Sequence, residues 1–418
     1  MSVVINPNDH LKAFAYLNSI EQSVVDTYLL EREMSITYTE NWRRLVTNDD
    51  SNIYRVTNIN SSGPGSFLDG LTYNGDETRH IIFDVAGTIV LPEKWSYNSR
   101  NIVVHGDTSP GGICITGAPM AFVDCENLEF HHIMWCLDEA PNQRLAKVWN
   151  PIKITSHNKT CRNILFNHCS VFGGDDENNF GPSNHYERNV DLANDGVTVQ
   201  NCIFGFGTRQ WRGNHNFSLA VSFGRDMVIK NNLFLHNNRR SPQVYCPPGQ
   251  CEEGGVIAGN VVYNYGSMAV GVIRGTFDVY DNTFIHGRNS KPNANFKPIK
   301  TTGTFQSPGD YSVLYIDNNK MYSRKRKFLG SDSEIFGHEN SIPVSFRQRR
   351  NWHDESTLTS QTVINTAGTK FNHSLEQRCR NNVNSDGSTW IDTMADIGGV
   401  PQIPFKDEIY MGDIEGVI

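Results

Sequence analysis

The sequence lacks several features that would place the protein in a familiar class. It contains no run of about 18 apolar residues, so we expect no transmembrane helix. Its first ten residues, Met-Ser-Val-Val-Ile-Asn-Pro-Asn-Asp-His, contain no basic region followed by an apolar core, so we expect no signal peptide in this chain. The nine cysteines form no pair of CxxC motifs, which excludes the usual zinc-ligand spacing.

Most of the cysteines fall in apolar, strand-like runs, where a thiol behaves as a small buried hydrophobe. Cys246 and Cys251 flank Pro-Pro-Gly-Gln and are a candidate disulfide pair, although the sequence does not fix the redox compartment.

The net charge is −8, yet residues 324–327 and 347–350 are strongly basic. In isolation such runs resemble nucleic-acid patches. Because the chain is acidic and the runs carry no interleaved aromatic residues, we expect no nucleic-acid partner. We interpret the runs as solvated loops or as additional contacts to an acidic polymer.

The sequence is rich in glycine, with 35 residues, and in short alternating apolar runs that are typical of β-strands. Seven segments share one pattern, an alternating strand, a polar corner and a second short apolar strand: 127–133, 163–172, 196–204, 226–234, 255–263, 276–284 and 312–320. Their corner residues are His132, His168, Asn201, Asn231, Asn260, Asp281 and Asp317.

These corners recur about every 21 to 36 residues, which is typical of a solenoid coil with one loop of variable length. Asn and Asp tolerate left-handed backbone angles, and in stacked coils their side chains can bond the same residue one coil away. The pattern therefore predicts an all-β parallel β-helix over residues 53–350.

The two ends of the chain differ from this repeat. Apolar residues from Leu11 to Leu29 recur at helical spacing, so residues 1–52 are predicted to be a helical N-terminal segment. We expect it to cap an open sheet edge, with oligomerisation and attachment to a larger assembly as the alternatives. Residues 351–418 lose the repeat, and we expect an irregular segment that folds back as a C-terminal cap.

The stretch 187–245 concentrates chemistry-bearing residues. Glu187 and Asp191 form an acidic pair, and the segment from Arg209 to Arg240 holds six Lys or Arg residues against one acid, Asp226. A cationic cluster in an acidic chain indicates an anionic substrate. The repeat places Val197, Met227 and Val256 on successive coils, so we expect the loops near Glu187, Arg209 and Arg240 to share one side of the solenoid.

The first strands resemble those of pectate lyases of polysaccharide lyase family 1. The similar segments are 56–67 (Val-Thr-Asn-Ile-Asn-Ser-Ser-Gly-Pro-Gly-Ser-Phe), 81–89 (Ile-Ile-Phe-Asp-Val-Ala-Gly-Thr-Ile) and 103–113 (Val-Val-His-Gly-Asp-Thr-Ser-Pro-Gly-Gly-Ile). The resemblance runs, with breaks, from about residue 54 to about residue 290. It implies a right-handed β-helix and a lyase that cleaves an acidic, uronate-containing polysaccharide by β-elimination.

The resemblance also implies roles for individual residues. Arg240-Ser241-Pro242 matches the family's Arg-x-Pro motif, whose Arg is the presumed base, and Arg209 falls near a basic position that holds the substrate carboxylate. Arg239 is the neighbouring cation. Independently of the resemblance, Trp211 and Tyr245 flank the proposed groove and are candidates either for stacking on sugar rings or for core packing, and His215 is a further candidate substrate-binding residue. Calcium is the implied cofactor, with ligands among Glu187, Asp191, Asp176 and Glu177.

The chain departs from the family at two places. The family's earlier pair of calcium-binding Asp residues maps near Val148 and Asn150, and its second motif arginine maps to Tyr245. Without calcium, Arg240 would bind the carboxylate and His215 or His236 would be the candidate base.

Two other functions stay open. A glycoside hydrolase on the same fold needs two carboxylates, which Asp175, Asp176 and Glu177 can supply. A non-catalytic glycan-binding adhesin would need neither. We expect an extracellular or virion-associated protein, either a secreted lyase or a phage tail depolymerase, in which case the chain is attached to a virion or forms a homotrimer.

Overall fold

The computed structural model describes residues 52–137, 150–174, 178–180, 194–209, 216–222, 224–247, 252, 254–290, 297–301, 310–338, 344–346, 357–387 and 389–407. The side chains of 178–180, 194, 333, 338 and 407 are not described.

Within these residues the chain is built mainly from short strands. The first sixteen are β1 (Ile53–Val56), β2 (Arg79–Phe83), β3 (Val85–Val90), β4 (Trp95–Tyr97), β5 (Arg100–His105), β6 (Ile113–Thr116), β7 (Met120–Val123), β8 (Glu126–His131), β9 (Ile133–Leu137), β10 (Ile152–Thr155), β11 (Cys161–Asn167), β12 (Ser170–Gly173), β13 (Asn178–Phe180), β14 (Asn194–Gln200), β15 (Ile203–Gly205) and β16 (Leu219–Ser222). The others are β17 (Gly224–Arg225), β18 (Met227–Lys230), β19 (Leu233–Leu235), β20 (Gln243–Tyr245), β21 (Gly254–Ala258), β22 (Val261–Tyr263), β23 (Val270–Val272), β24 (Gly275–Tyr280), β25 (Thr283–Ile285), β26 (Ile299–Thr301), β27 (Ser312–Asp317), β28 (Lys320–Tyr322), β29 (Phe328–Ser331), β30 (Phe336–His338), β31 (Val344–Phe346) and β32 (Lys406–Asp407).

The strands form three sheets that the chain visits in rotation. Sheet 1 has the order β1-β2-β5-β8-β11-β14-β18-β21-β24-β27-β31, with β17 beside β14. Sheet 2 runs β32-β3-β6-β9-β12-β15-β19-β22-β25-β28-β29, and sheet 3 runs β4-β7-β10-β13-β16-β20-β23-β26-β30. Neighbouring strands are parallel except for β28 with β29 and β3 with β32. Three parallel sheets visited in the same order on each turn make a parallel β-helix, so the predicted fold is confirmed.

The side chains that point inward fill the prism. In β11, Ile164 and Phe166 lie in the core, and alternate residues of the same strand point outward. Phe166 stacks on Phe130 of the preceding coil at 5.1 Å between ring centroids. Each coil alone would leave its apolar face exposed, so the fold is stabilised by stacking between coils.

The corner between sheet 1 and sheet 2 repeats from coil to coil. Left-handed residues occupy it, with φ between 53° and 57° at His132, His168, Asn201, Asn231 and Asp281. All five were predicted corners. Val197, Met227 and Val256 lie in β14, β18 and β21, which are successive strands of sheet 1, so the prediction that they occupy successive coils is confirmed.

Two predicted corners are wrong by one residue. The left-handed residue is Gly259 rather than Asn260, and Asn318 rather than Asp317. Gly259 accepts a positive φ without steric cost, because it has no Cβ. Asp317 is still the last residue of β27 and pairs with Tyr280.

The residue after the corner forms a buried ladder of amides. Asn232 Nδ2 donates to Asn260 Oδ1 at 3.0 Å, Asn260 Nδ2 to Asn282 Oδ1 at 3.0 Å, and Asn282 Nδ2 to Asn319 Oδ1 at 2.9 Å. The same Oδ1 atoms accept the backbone N–H of the preceding coil, for example that of Asn260 at 3.0 Å from Asn282. The predicted bonding between coils therefore exists. Asn260 was itself a predicted corner, whereas Asn232 and Asn282 lie one residue, and Asn319 two residues, beyond one.

A short helix, α1 (Phe67–Leu71), precedes the first complete coil. Ser66 caps it by accepting the Asp69 N–H, and Phe67, Leu68 and Leu71 enter the main core. Residues 1–51 lie outside the described part of the chain, so the helical N-terminal segment stays a prediction.

The described part of the C-terminal segment covers the side of the solenoid. It contains α2 (Ser360–Thr366) and α3 (Ser374–Ser385), and β32 reaches back to β3. Its apolar residues pack on the outer face of sheet 2, where Val363, Leu375 and Cys379 join a cluster with Phe172 and Leu233. Within the described residues, no helix is long and apolar enough to span a membrane.

Candidate active site beside sheet 3

The predicted arginines lie in successive turns that lead from sheet 2 to sheet 3. Arg209 follows β15, and Arg239 and Arg240 lie between β19 and β20. The turns stack, because Phe206 N donates to Leu235 O at 3.3 Å and Gly207 N to Asn237 Oδ1 at 3.1 Å. Stacked coils are about 4.8 Å apart. The arginine turns therefore share one side of the solenoid.

The backbone of Arg240 is held in an unusual conformation. Its φ is +60°, in the left-handed region that long side chains seldom adopt. Its carbonyl accepts the Leu219 N–H at 2.8 Å, and the carbonyl of Arg239 accepts the Ser218 N–H at 3.3 Å. The following Ser241–Pro242 peptide bond is cis. A positive φ at a long side chain such as Arg240 is an outlier of the kind that clusters at functional sites, where the surrounding structure holds it in place.

The side chain of Arg240 lies over an aromatic ring from the preceding coil. Its guanidinium carbon is 4.5 Å from the ring centroid of Phe217, within the range of a cation–π contact. Phe217 is 6% exposed and its backbone pairs with that of Arg239, whereas Arg240 itself is half-buried. The contact fixes a cation at the edge of sheet 3, immediately before β20.

Arg209 is held by the C-terminal segment. Its Nη2 lies 2.7 Å from Asp392 Oδ1, and its guanidinium carbon is 5.9 Å from the Trp390 ring centroid. Thr208 also forms a parallel bridge with Ile391. A carboxylate of the chain thus takes the place on Arg209 that the sequence interpretation gave to the substrate carboxylate.

Tyr245, the last residue of β20, is 8% exposed. Its ring faces the guanidinium of Arg274 at 5.6 Å, and Arg274 Nε donates to Cys246 O at 2.8 Å. Little of the ring is open to a sugar, and its role in substrate binding stays a prediction. Cys246 is buried, and Cys251 lies outside the described residues, so their pairing also stays a prediction.

His236 does not fit the role of a general base. It is fully buried, it stacks on Phe206 at 4.8 Å, and its Nδ1 lies 2.8 Å from Asn264 Nδ2. Its Nε2 lies 3.2 Å from Asn382 Nδ2 of α3. Burial, with a smaller contribution from Arg378, lowers the pKa of His236 to about 3. Its position beneath the C-terminal segment separates it from any polymer substrate.

The remaining predicted site residues lie outside the described part of the chain: Trp211, His215, Glu187, Asp191, Asp176 and Glu177. Among the residues that are described, no group of three or more His, Cys, Asp or Glu side chains is arranged to hold a metal ion. Calcium binding by these four carboxylates therefore stays a prediction.

Two residues of the site were not found from the sequence. Phe217 continues the alternating apolar pattern of β16, so its type and position favour a core residue. Asp392 is 183 positions away from Arg209, and no local pattern connects them. Both contacts arise from tertiary packing.

The chain is similar to curated proteins named probable pectate lyase C. It is 27% identical over 292 residues to the protein of Aspergillus flavus, which covers 68% of this chain and 61% of the relative. It is 28% identical over 292 residues to the Neosartorya fischeri protein, covering 68% and 60%, and 26% identical over 302 residues to the Aspergillus terreus protein, covering 70% and 60%. The chain thus spans about three fifths of the length of these relatives.

Solved structures give weaker similarities. The crystal structure of jun a 1, the major allergen from cedar pollen, aligns with a TM-score of 0.44 and 14% identity over 76% of this chain and 88% of that one. The thermostable pectate lyase PL 47 aligns with a TM-score of 0.45 and 12% identity over 78% and 94%. No protein-family model matches the sequence.

These relatives are fungal, so they give no support to the interpretation as a phage tail protein. Their printed names agree with the predicted resemblance to pectate lyases, and the alignments cover about two thirds of the chain. The resemblance to pectate lyases that the sequence motifs predicted is therefore confirmed.

Proposed function

We propose that the protein is a polysaccharide lyase that cleaves an acidic, uronate-containing polysaccharide by β-elimination. The observation that carries the proposal is the fixed guanidinium of Arg240 beside sheet 3, at the Arg-Ser-Pro sequence that resembles the pectate lyase motif. The similarity to proteins named pectate lyase supports the same reaction class.

The reaction needs a cation close to the uronate carboxylate. A base takes the C5 proton, the electron pair of the C5–H bond forms the C4–C5 double bond, and the C4–O bond breaks with its electrons going to the departing sugar oxygen, which takes up a proton from an acid or from water. Negative charge develops next to the carboxylate as the C5 proton leaves. A positioned guanidinium stabilises that charge, and we assign this role to Arg240.

Arg239 and Arg209 are proposed as secondary cations. Arg239 precedes Arg240 in the same turn, and Arg209 lies one turn earlier. Because Asp392 already pairs with Arg209, a substrate carboxylate must compete with Asp392 for it. We therefore assign Arg209 a weaker contribution to binding than Arg240.

Calcium is proposed as a cofactor bound by Glu187, Asp191, Asp176 and Glu177, since calcium prefers several carboxylate oxygens. When bound, it would neutralise the substrate carboxylate together with the arginines. Activity should then fall on treatment with a chelator and return when calcium, but not magnesium, is added. Full activity in the presence of the chelator would remove calcium from the proposal.

The function is tested by incubating the protein with a panel of acidic and neutral polysaccharides. A lyase produces an unsaturated uronate that absorbs in the ultraviolet, and only from acidic polymers. New reducing ends without that absorbance would indicate the alternative, a glycoside hydrolase. Retention on an immobilised polymer without cleavage would indicate an adhesin.

An extracellular location is proposed because a polymer substrate of this kind lies outside the cell that degrades it. Assembly into a homotrimer and attachment to a virion stay predictions. Sedimentation of the purified protein would test the homotrimer.

A further inference from the structure

Trp390 of the C-terminal segment lies on the turns that lead from sheet 2 to sheet 3. Its indole Nε1 donates to Asn264 O at 2.8 Å, and its backbone N–H donates to Asn289 Oδ1 at 2.8 Å. The two acceptors belong to the turns before β23 and β26, so this one residue joins two successive coils. Trp390 is 9% exposed and Asn264 is fully buried, so loss of the indole N–H would leave a buried carbonyl unpaired.

The indole ring also reaches the turn that carries the arginines. Gly266 N–H donates to Asn238 O at 2.9 Å, which joins the turn before β23 to the turn before β20. A Cβ on Gly266 would lie 2.6 Å from Trp390 Cη2 and 2.0 Å from Asn238 Oδ1, so the ring and the amide close on the same point. Asn238 comes directly before Arg239 and Arg240.

The turns before β20 and β23 are hydrogen-bonded on both sides of the arginine pair. One bond is that of Gly266 with Asn238, and the other runs from Ser241 N–H to Ala269 O at 2.8 Å. A shift of the turn before β23 therefore displaces the backbone before and after the two arginines. Displacement of a catalytic group by about 1 Å can cost about 100-fold in rate.

The residues after Trp390 continue along the same turns. Ile391 forms a parallel bridge with Thr208, and Asp392 pairs with Arg209 in the turn before β16. Residues 390–392 thus contact the turns of four successive coils, before β16, β20, β23 and β26. This part of the C-terminal segment therefore lies on the side of the solenoid that carries the arginines, whereas α2 and α3 cover sheet 2.

We propose that Trp390 is a positioning residue for the arginine turn. It fixes the turn before β23, and that turn fixes the backbone of Arg239 and Arg240 in the geometry that the reaction needs. The inference rests on the proposed lyase function, and it holds for any role of the arginines that depends on their position. The C-terminal segment is then a part of the active enzyme as well as a cover of sheet 2.

The test compares kcat and KM of Trp390→Ala with those of wild type on the acidic polymer that wild type cleaves. Both are assayed at a temperature at which denaturant titrations show them to be folded. We expect kcat to fall about 10-fold to 100-fold, because the arginine turn is displaced. Trp390→Phe should recover part of this loss, since it keeps a ring on Gly266 and lacks only the donor to Asn264 O.

A purely structural role of Trp390 gives a different result. Loosening of the segment would free Arg209 from Asp392, so KM would fall while kcat stayed at the wild-type value. That result overturns the inference. A Trp390→Phe variant with no more activity than Trp390→Ala overturns it as well, because the position of the ring would then not matter.

Gly266→Ala tests the same contact without altering Trp390. The added methyl group would meet the ring and Asn238, so the turn must shift and kcat should fall several-fold. If Trp390→Ala does not fold, Trp390→Phe and Gly266→Ala decide the question, and wild-type kcat in both overturns the inference.

Leu375→Ala is the matched control. Leu375 is a buried residue of the same segment, but its side chain joins the cluster on the outer face of sheet 2. The variant should unfold at a lower denaturant concentration and keep kcat within about twofold of wild type. An equal loss of kcat in Leu375→Ala would show that any loosening of the segment has this effect, which contradicts a specific role for Trp390.

Failure of the proposed function and failure of this inference can be told apart. If wild type forms no unsaturated product from any acidic polymer, the proposed function fails and the inference falls with it. An active wild type together with unchanged kcat in Trp390→Ala overturns the inference alone.

Discussion

Two edges of the solenoid are built from similar residues and do different things. The corner between sheet 1 and sheet 2 places an amide at the same position on successive coils, where Asn232, Asn260 and Asn282 are buried and bond one another. The turn between sheet 2 and sheet 3 has left-handed residues as well, but they change from coil to coil, as Phe206 and His236 show. Repetition with satisfied hydrogen bonds marks a structural role, and a charged residue that breaks the repeat marks a candidate functional one.

The largest effect should come from the residue that breaks the repeat. Arg240→Ala should lower kcat/KM by about 100-fold to 1000-fold, the usual cost of removing one preorganised group that stabilises developing charge. Arg162→Ala is the control, since Arg162 is an exposed cation of sheet 1 and should leave kcat/KM within about twofold of wild type. Equal losses in both variants would show that overall charge, and not the position of Arg240, matters.

Substitutions at the corner between sheet 1 and sheet 2 should lower the free energy of unfolding and leave kcat unchanged. Asn282→Ala removes the donor to Ile257 O and the acceptor of the Asn260 N–H, leaving buried polar groups unpaired. We expect the free energy of unfolding, measured in a denaturant titration, to fall by about 3 kcal/mol. Asn365→Ala, on the exposed face of α2, should change the free energy of unfolding by less than about 0.5 kcal/mol. A loss of kcat without loss of stability in Asn282→Ala would contradict the comparison.

The side of the solenoid under the C-terminal segment depends on one buried carboxylate. Glu376 accepts from Ser170 Oγ at 2.6 Å, from Thr369 N at 2.6 Å and from His373 N at 2.7 Å. In Glu376→Gln an NH₂ group faces some of these donors, and we expect a loss of about 2 to 3 kcal/mol in unfolding free energy. Glu93→Gln, at an exposed position, is the control and should be neutral. Stability equal to wild type in Glu376→Gln would show that the segment is held in another way.

Lowering the pH should reduce the stability of the side of the solenoid that lies under the C-terminal segment. Burial lowers the pKa of His236 to about 3, so between this value and the unfolded pKa of about 6.5 the unfolded chain binds a proton that the folded chain does not. Stability is therefore lost as the pH falls, by about 2 kcal/mol for this histidine between pH 6.5 and about pH 5. His236→Gln should show a correspondingly smaller loss over this interval in denaturant titrations. An identical pH dependence in the variant would refute the assignment.

We expect the smallest effect at the contact between Arg209, in the turn from sheet 2 to sheet 3, and Asp392 of the C-terminal segment. Asp392→Asn weakens an ion pair in which Asp392 is largely exposed, so stability should change by less than about 1 kcal/mol. Because Arg209 then meets less competition, KM for an acidic polymer should fall, and the double variant with Arg209→Ala should behave as Arg209→Ala alone. If Arg209 only fastens the C-terminal segment, KM will be the same in all three variants and only stability will change.

Much of the solenoid could be predicted from the sequence because its information is local. A strand, a polar corner and a second strand lie within about ten residues, and His132, Asn201 and Asp281 stand at left-handed corners as expected. The errors at Asn260 and Asp317 have a local cause also. A polar residue beside Gly259 or Asn318 gives the same pattern whichever of the two takes the positive φ.

The covering of sheet 2 and the site contacts could not be predicted in this way. Leu375 and Cys379 lie in a short helical pattern that does not indicate which surface their side chains cover. The strands of sheet 2 that they cover are far away in the sequence. The same holds for Asp392 with Arg209 and for Phe217 with Arg240. Motif resemblance identified Arg240, but only tertiary structure shows what its side chain touches.

We propose that this protein breaks a polyuronate by elimination. The masses of the products are the most direct test, because elimination and hydrolysis give products of different mass. Every cleavage by elimination gives one unsaturated end without adding water, so the new fragments together have the mass of the parent chain. We expect such fragments from wild type and, in the same time, about 100-fold to 1000-fold less of them from Arg240→Ala. Fragments that have each gained the elements of water at the cut would show hydrolysis and contradict it.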